Sequence, residues 1–494
     1  MPLISDLALE ARIAARALAD YATGGGLRLG VTGLSRAGKT VFITALIDAL
    51  TRAPKHAGRR ALPVFRVHAE GRLTRAYLRP QPDDDVPRFA YEDHLAALTG
   101  SATGPDARHW PHSTRRISEL RLTLEFESKA GWRKGPRALT LDIVDYPGEW
   151  LLDLPLLSKS YAQWSTDMLD AAASAARASL AADWRGFLTT IDPRAPAQEE
   201  VARRAAEIFT AYLRACRQDR VALSTLPPGR FLMPGDLEGS PALTFAPLPS
   251  TGEIKAGSLA AMMERRYEAY KRHVVRPFFR DHFARIDRQI VLVDALSALN
   301  SGPAAVRDLE TAMTDVLLAF RAGRHSLLST IFRPRADKIL FAATKADHLH
   351  HTSHDRLEAI LRQLSARAIS RAQGVGAAVD VIALAAVRAT REAQVKHDGA
   401  MLDAIVGTPL AGERLGEDVF DGLQEAAIFP GALPADPRAV FRGEALAVGE
   451  GEADYRFVRF RPPLLQLDAH GERGLLPQIR LDRALQFLLG DRLA

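Results

Sequence analysis

Residues 27–40 read Leu-Arg-Leu-Gly-Val-Thr-Gly-Leu-Ser-Arg-Ala-Gly-Lys-Thr, and the rest of the chain can be interpreted outward from this segment. An apolar strand pattern leads into G-x-x-x-x-G-K-S/T at residues 33–40, and a helical pattern follows over residues 41–50. The two glycines tolerate backbone angles that let successive N–H groups surround a phosphate. The helix directs the positive end of its dipole toward the same anion. The sequence therefore predicts a phosphate-binding loop between a strand and a helix.

Each residue type in this loop has an expected task in binding a nucleotide. Lys39 brings a flexible positive charge to the terminal phosphates, and the hydroxyl of Thr40 can ligate Mg²⁺. Arg36 is a second cation that can reach a phosphate or the carboxylate of a partner. Lys39 is therefore a candidate catalytic residue, and nucleotide contacts are expected from Gly33, Ser35, Arg36, Ala37, Gly38, Lys39, Thr40 and Val41.

Composition and charge exclude several classes of protein. The 494 residues carry 65 Lys and Arg against 59 Asp and Glu, and because these charges are scattered we expect no nucleic-acid partner. Cys216 is the single cysteine, which rules out a disulfide within the chain and favours a reducing cytoplasm. We find neither a signal peptide nor a membrane-spanning run. Leu7 to Tyr21 form a weakly amphipathic helix, which could lie on a lipid surface but is expected to pack against its own domain.

Strand and helix patterns predict an α/β fold. Residues 120–127 alternate apolar and polar side chains, residues 128–136 contain two glycines, and residues 138–145 form a more buried strand. Because no helix separates these two strands, they must pair antiparallel. Strands at 289–294, 338–343 and 379–384 alternate with helical patterns at 304–321 and 356–373, which indicates parallel pairing. The prediction is a mixed sheet with one antiparallel strand. Between the helix at 41–50 and residue 114 we expect an irregular polar loop with some helix.

The same patterns divide the chain into five parts. Helical segments at 155–184, 197–217 and 259–286 predict a large α-helical insertion over residues 151–288. This insertion splits a P-loop nucleotide-binding domain into residues 27–150 and 289–400. An N-terminal helix and linker take up residues 1–26. A C-terminal extension, residues 401–494, is expected to contain strands at 440–448 and 455–460 and a closing helix at 481–493.

A second motif, Asp145-Tyr-Pro-Gly-Glu149, ends the strand at 138–145. An Asp at the end of a buried strand can hold Mg²⁺ through water, and a Gly three residues later can offer its N–H to the γ-phosphate. We therefore assign Asp145 to the metal and Gly148 to the nucleotide. Glu149 is a catalytic residue if it orients water and a structural one if it forms a surface salt bridge, and the sequence leaves both open.

A third motif, Thr344-Lys-Ala-Asp347, follows the strand at 338–343. The carboxylate of Asp347 can accept the N1–H and the 2-amino group of guanine together, a pair of donors that adenine lacks. Lys345 can lay its aliphatic stem over the base. Thr344, Lys345 and Asp347 therefore predict a guanine nucleotide, GTP or GDP, bound with Mg²⁺.

In this order the three motifs resemble the GTPase domain of the Ras and translation-factor class. More narrowly, the chain resembles the bacterial YcjX-like family of P-loop NTPases in four blocks, G-V-T-G-L-S-R-A-G-K-T, W-P-H-S-T-R-R-I-S-E-L-R-L, D-Y-P-G-E-W-L-L-D-L-P-L-L and V-L-V-D-A-L-S-A-L-N-S-G. The resemblance covers nearly the whole chain. It implies a cytosolic, stress-associated nucleotide-binding protein, catalogued as an ATPase or as GTP-binding, with a helical insertion after the second motif.

The family resemblance also points to the switch I segment. It places a metal-binding hydroxyl at Thr114, and Arg115 or Arg116 could act as an arginine finger in cis, with a solvated basic turn as the alternative. After the strand at 379–384 the chain has Ala-Ala-Val-Arg where GTPases typically have Ser-Ala-Lys. The N–H of Ala386, with Val387 beside it, can still meet the guanine oxygen.

Two further groups are weaker candidates. Asp294, at a strand end, could approach the site or cap the next turn. Four histidines after Asp347 could bind a transition metal, but no cysteine or carboxylate accompanies them in a recognisable pattern, so we favour a loop beside the nucleotide. They are His348, His350, His351 and His354.

Together the motifs predict a Mg²⁺-dependent GTPase that acts as a regulatory switch through its helical insertion, the expected contact for a protein partner. Hydrolysis is expected to be slow because no Gln stands at the water-positioning place. Two alternatives stay open. One is an ATPase in which Thr344 to Asp347 is incidental, and the other is a nucleotide-binding scaffold with little hydrolysis.

Overall fold

A seven-stranded sheet forms the centre of the computed structural model, which describes residues 26–33, 36–55, 61–81, 83–101, 104, 107–112, 114, 116–129, 134–218, 226–249, 252, 254–282, 285–318, 336–374, 376–397, 399–442, 457–465 and 473–494. Its strand order is β2-β3-β4-β1-β5-β6-β7. The strands are β1 (Gly26–Gly33), β2 (Leu73–Arg79), β3 (Ser118–Ser128), β4 (Gly135–Asp145), β5 (Arg288–Val293), β6 (Lys338–Ala343) and β7 (Ala378–Ala383). Strands β4, β1, β5, β6 and β7 pair parallel, whereas β3 runs antiparallel to β2 and β4. The predicted mixed sheet with one antiparallel strand is confirmed.

Helices cover both faces of this sheet. On one face, the helix Lys39–Arg52 shares an apolar core with the C-terminal helix Leu481–Leu489. On the other face, apolar side chains of β5, β6 and β7 pack against the helices Ala295–Asn300, Pro303–Leu318, His354–Leu364 and Ala366–Gly374. Each fully buried large apolar side chain contributes about 1.5–3 kcal/mol to such a core. The closing helix therefore packs into the core of the nucleotide-binding domain. The division of residues 401–494 as a C-terminal extension is retained as a proposal.

The described residues between β4 and β5 form mainly helices joined by irregular segments. Its helices share one apolar cluster in which Trp164 stacks on Tyr267 and Trp184 stacks on Tyr212, with ring centroids 5.1 and 5.2 Å apart. The cluster includes Val144 near the carboxyl end of β4, so these helices pack against that end of the strand. The elements are Gly148–Ser158 (3₁₀), Tyr161–Ala173, Ala182–Leu188, Glu199–Gln218, Gly229–Leu232, Gly235–Leu237 (3₁₀), Pro241–Leu243 (3₁₀), Leu259–Tyr270, Lys271–Val275 (π) and Arg276–Asp281. The division of residues 151–288 as an insertion domain is retained as a proposal.

The region between the helix Lys39–Arg52 and residue 114 is more regular than predicted. It contains the helices Arg66–Ala69 and Tyr91–Thr99, and strand β2, which pairs antiparallel with β3. The sequence of β2, Leu-Thr-Arg-Ala-Tyr-Leu-Arg, is polar because this strand lies at the edge of the sheet and its middle residues are partly exposed. An edge strand buries too little apolar surface to show a clear pattern, so the prediction of an irregular loop was wrong here.

The C-terminal region differs most from expectation. Strands β8 (Arg391–His397), β9 (Ala400–Gly407) and β12 (Ala426–Ile428) form an antiparallel sheet, and β10 (Arg414–Leu415) pairs with β11 (Asp418–Val419). The hairpin of β8 and β9 spans residue 400, where the sequence placed the start of the extension, and that boundary stays a proposal. The strand predicted at 440–448 is wrong at its start, where Ala439–Arg442 forms a short helix. Within the described part of the strand predicted at 455–460, Phe460 makes an isolated bridge to Pro409.

The helix predicted at residues 7–21 lies outside the described residues. Among the helices that are described, none has the length and apolar character needed to cross a membrane.

Candidate nucleotide-binding site

A cleft of about 370 Å³ opens at the carboxyl ends of the parallel strands. Open α/β sheets bind ligands at this edge because the loops that follow neighbouring strands diverge there. Residues from all three sequence motifs line the cleft, together with residues that the sequence did not point to. The lining consists of Arg36, Ala37, Gly38, Lys39, Thr40, Val41, Phe42, Trp110, Pro111, Thr114, Glu149, Thr344, Lys345, Asp347, His348, Leu384, Ala385, Ala386, Val387, Leu410, Arg459 and Phe460.

The phosphate loop adopts the backbone that its glycines permit. Gly38 has a φ of 83° and directly precedes the helix Lys39–Arg52, whose first turn carries no acidic residue to neutralise its positive end. A Cβ on Gly33 would lie 2.7 Å from the carbonyl oxygen of Leu292, so only glycine fits between β1 and β5. Lys39 is buried, and its Nζ donates to the carbonyl oxygen of Gly33 at 3.1 Å. The ammonium therefore lies inside the loop, where an anion would be surrounded by N–H groups.

Two hydroxyl groups and one buried carboxylate lie beside the loop. The Oγ1 of Thr40 is 3.3 Å from the Oγ1 of Thr114, which donates to Oδ2 of Asp145 at 2.5 Å. Burial raises the pKa of Asp145 to about 6, although the charge of Lys39 and the hydrogen bond from Thr114 favour its ionised form. The other oxygen, Oδ1, is buried and has no hydrogen-bond partner among the described residues. A buried oxygen without a partner, next to two hydroxyls, fits Mg²⁺, which prefers oxygen ligands.

The segment after Asp145 packs directly on the phosphate loop. A Cβ on Gly148 would lie 1.9 Å from the carbonyl oxygen of Gly33 and 3.0 Å from Nζ of Lys39, so this position admits glycine alone. Glu149, which follows, is 4% exposed and pairs with Arg217 in the helix Glu199–Gln218 at 2.8 Å. Of the two roles left open for Glu149, a salt bridge is the one present in this structure, and it is buried instead of lying on the surface.

Asp153 connects the same segment to the helical region. Its carboxylate accepts hydrogen bonds from the backbone N–H of Gly229 at 2.6 Å, from that of Arg230 at 3.2 Å and from the hydroxyl of Tyr270 at 2.6 Å. Burial raises the pKa of Asp153 to about 6, while these hydrogen bonds favour the ionised form. The chain that follows β4 is thus attached to the helices between β4 and β5 through Glu149 and Asp153, among other contacts.

Thr344 and Lys345, from the third motif, also line the cleft. Lys345 has a φ of 61°, and its ammonium pairs with the carboxylate of Asp294. Asp294 also caps the helix Ala295–Asn300, because its Oδ1 accepts the N–H of Ser297 at 3.1 Å. Both roles that the sequence left open for Asp294 are therefore combined: it caps the next helix and orients a residue of the cleft.

Asp347 lies beside Lys345 and is held by the chain that follows β7. It is 4% exposed, its Oδ2 accepts the N–H of Ala389 at 2.8 Å, and its backbone carbonyl accepts the hydroxyl of Thr390. Ala386 and Val387, from the same connection, also line the cleft. The carboxylate expected to select the base and the N–H expected to meet the guanine oxygen therefore lie on one wall.

Sequence reasoning missed a group of residues that line the cleft near His348. Phe460 is packed edge to face against the ring of His348, with centroids 5.4 Å apart, and its carbonyl oxygen accepts the Nε1–H of Trp110 at 2.6 Å. Leu410 and Arg459 complete this group. The aromatic residues at 455–460 were the one available signal, and they were interpreted as a strand. No local pattern shows that Trp110 and Phe460, separated by 350 positions, share a cleft.

Some predicted residues cannot be assigned from the structure. Ser35 and Arg115 lie outside the described residues. Arg116, the other candidate arginine finger, is exposed and is not among the described residues that line the cleft.

Two comparisons with known proteins identify relatives of the chain. A family model described as "YcjX-like family, DUF463" matches residues 27–493. The protein "Ras-like GTPase YcjX" of Escherichia coli (strain K12) is 40% identical over 478 residues, which span 94% of this chain and 96% of that protein. A protein of the same name from Shewanella oneidensis is 34% identical over 488 residues, which span 94% of each chain. Because the match runs from the strand before the phosphate loop to the C-terminal helix, the chain belongs to the YcjX-like family.

Proposed function

We propose that this protein is a cytoplasmic, Mg²⁺-dependent GTPase that binds GTP and GDP and hydrolyses GTP slowly. The observation that carries the proposal is that one cleft is lined by the phosphate loop, by Thr114 and by the buried Asp347. The hydroxyl of Thr114 lies beside that of Thr40 and donates to the buried carboxylate of Asp145. The names of the two relatives, both Ras-like GTPases, support this choice of nucleotide.

The expected tasks follow from the chemistry of the side chains. Lys39 and the N–H groups of residues 36–41 would bind the β- and γ-phosphates, and Gly148 would donate its N–H to the γ-phosphate. Thr40, Thr114 and Asp145 would hold Mg²⁺, which when bound neutralises charge that develops on the phosphate oxygens. Slow hydrolysis is expected because Glu149, at the place of a water-positioning residue, pairs with Arg217.

Guanine selection is assigned to Asp347. Its Oδ2 is fixed by the N–H of Ala389, so the carboxylate has a defined plane in which to accept two donors from the base. A buried polar group that the wrong base leaves unpaired discriminates strongly, by roughly 10⁴-fold in favourable cases. Ala386, on the same wall, would offer its N–H to the guanine oxygen.

The test is the binding of fluorescent GDP and ADP to the full chain in the presence of Mg²⁺. GDP should bind at least about 100-fold more tightly than ADP, and Asp347→Asn should shift the preference to xanthosine diphosphate, which carries a carbonyl in place of the 2-amino group. Asp418→Asn, an exposed residue of β11, is the matched control and should bind like the wild type. Equal or tighter ADP binding, unchanged by Asp347→Asn, would replace this proposal with the ATPase alternative.

A second candidate, a nucleotide-gated scaffold, is favoured by the attachments of the segment after β4 to the helical region. The helices of residues 151–288 would then be the surface for an unidentified protein partner, and the stress-associated role implied by the family resemblance would be exerted there. Single-turnover measurements separate the candidates. A stoichiometric complex with GTP that releases no phosphate would favour the scaffold over the GTPase.

A further inference from the structure

The histidine loop, residues 348–354 after Asp347, lies beside carboxylates that the sequence did not place there. One ligand atom each from His350, His351 and Glu392, the last on β8, lie within 4.8 Å of one another. Nδ1 of His351 is 2.7 Å from Oε2 of Glu392, and Nε2 of His350 is 3.9 Å from the same oxygen. We propose that His350, His351 and Glu392 bind one transition-metal ion of the zinc class.

The surroundings of His350 are those of a metal ligand. While Nε2 faces Glu392, the other ring nitrogen, Nδ1, lies 3.0 Å from the hydroxyl of Thr352 and 3.6 Å from Oδ2 of Asp403 on β9. Metal-binding histidines usually direct their second nitrogen to a carboxylate or another acceptor, which fixes the tautomer and the orientation of the ring. His350 is also 7% exposed, so the surrounding protein holds the ring in this orientation.

The four histidines divide into two pairs with different tasks. His348 packs against the ring of Phe460, and Nε2 of the buried His354 lies 2.9 Å from the carbonyl oxygen of Ala346. These two histidines are therefore occupied by contacts within the fold. His350 and His351 instead meet Glu392, which supplies the carboxylate whose absence from the local sequence argued against a metal.

The spacing of the three groups suits Zn²⁺. Zinc lies about 2.0–2.2 Å from imidazole nitrogen and carboxylate oxygen, which places neighbouring ligand atoms of a tetrahedral site roughly 3.3 Å apart. The observed separations from Glu392 lie on either side of that value, and the side chain of His351 is 64% exposed and free to adjust. Arg388 lies 3.5 Å from Oε1 of Glu392, which leaves Oε2 directed at the histidines. Water would take the fourth position.

A metal here would join the histidine loop to the chain that positions Asp347. Ala389 and Thr390, which hold the carboxylate and the carbonyl of Asp347, stand just before Glu392. A metal bound by His350, His351 and Glu392 would add a second link between the loop after Asp347 and the chain that begins β8. An effect of the metal on base selection rests on the proposed function, whereas the existence of the metal site does not.

The test uses the full chain without an affinity tag, stripped with a chelator, and titrated with Co²⁺ and then Zn²⁺ in the absence of nucleotide. Tetrahedral Co²⁺ should give visible absorption that Zn²⁺ displaces at one ion per chain. Competition with a chromophoric chelator should show at least a tenfold loss of Zn²⁺ affinity in His351→Ala and in Glu392→Gln. The exposed residues His273 and Glu425 supply the matched controls His273→Ala and Glu425→Gln, which should keep the wild-type affinity.

Thermal unfolding distinguishes a metal site from an ordinary ion pair. Zn²⁺ should raise the melting temperature of the wild type and of His273→Ala, because it binds the folded chain, but not that of His351→Ala. Binding of less than one Zn²⁺ per chain, or equal affinity in His351→Ala, Glu392→Gln and the wild type, would overturn the proposal. Because no nucleotide is present, failure of GDP binding would leave these readings unchanged.

Discussion

Replacing Gly148 with alanine tests whether the segment after β4 rests on the phosphate loop. The added Cβ would lie 1.9 Å from the carbonyl oxygen of Gly33, and real Cβ contacts essentially never fall below 3.0 Å, so the two backbones must separate by the difference of at least 1.1 Å. Such overpacking costs about 1–3 kcal/mol. At about 2.1 cal/mol/K per residue, unfolding all 494 residues together corresponds to about 1 kcal/mol per degree, so the melting temperature should fall by about 1–3 °C.

The same shift should weaken binding of the γ-phosphate selectively. Loss of one hydrogen bond to a charged group costs about 1.5–3 kcal/mol, which corresponds to roughly 10- to 100-fold weaker binding of a non-hydrolysable GTP analogue. GDP binding should stay close to that of the wild type. Gly186→Ala is the control, since its Cβ would meet no atom within 4 Å in the helix Ala182–Leu188. Wild-type affinity of Gly148→Ala for the GTP analogue would refute the contact between the two segments.

Three further substitutions test other parts of the site. Because the folded pKa of Asp145, about 6, exceeds the ordinary 3.8, its protonated form favours folding and this contribution is lost as pH rises from about 4 to 6. Asp145→Asn should therefore be more stable than the wild type, in the absence of Mg²⁺ and nucleotide, by about 3 kcal/mol at pH 7.5 and by about half that at pH 5. Urea unfolding measures the difference, and a variant less stable than the wild type at pH 7.5 would contradict the argument. Arg217→Ala leaves Glu149 buried without its partner and should cost about 1–3 kcal/mol while accelerating single-turnover hydrolysis, and an unchanged rate would make Glu149 purely structural. Leu410→Ala removes about 1 kcal/mol of apolar contact from the cleft and should raise the Kd for GDP about fivefold at an unchanged melting temperature, so an unaltered Kd would exclude it from the site.

The sequence predicts best where local chemistry determines the backbone. The pattern at residues 33–40 predicts a glycine backbone at Gly38 and a helix after the loop, because both follow from phosphate binding. Gly38 is left-handed in the structure, and the helix begins at Lys39. Strand β6 occupies Lys338–Ala343, the range that its apolar run predicts. A parallel strand buried on both faces has a continuous apolar sequence, so its length can be counted directly.

Prediction fails where one element depends on a distant one. Strand β2 is recognised only through its pairing with β3, and the closing helix Leu481–Leu489 shows its role only by packing into the core beside the helix Lys39–Arg52. Glu392 is another case, since it approaches the histidine loop only because β8 folds back beside it. Periodicity describes which side of an element is buried, but it does not identify the residues that it contacts.

The contacts on either side of Gly148 imply how nucleotide and helical region would influence each other. Gly148 touches the phosphate loop, and one residue later Glu149 pairs with Arg217, so the two contacts cannot move independently. If the γ-phosphate draws Gly148 toward itself, the pair between Glu149 and Arg217 must stretch or the helix Glu199–Gln218 must follow. A partner that binds the helices in the displaced arrangement would then favour GTP over GDP, and by linkage GTP would raise the affinity for that partner by the same factor. The same displacement would release Glu149 toward the cleft, so such a partner would also accelerate hydrolysis.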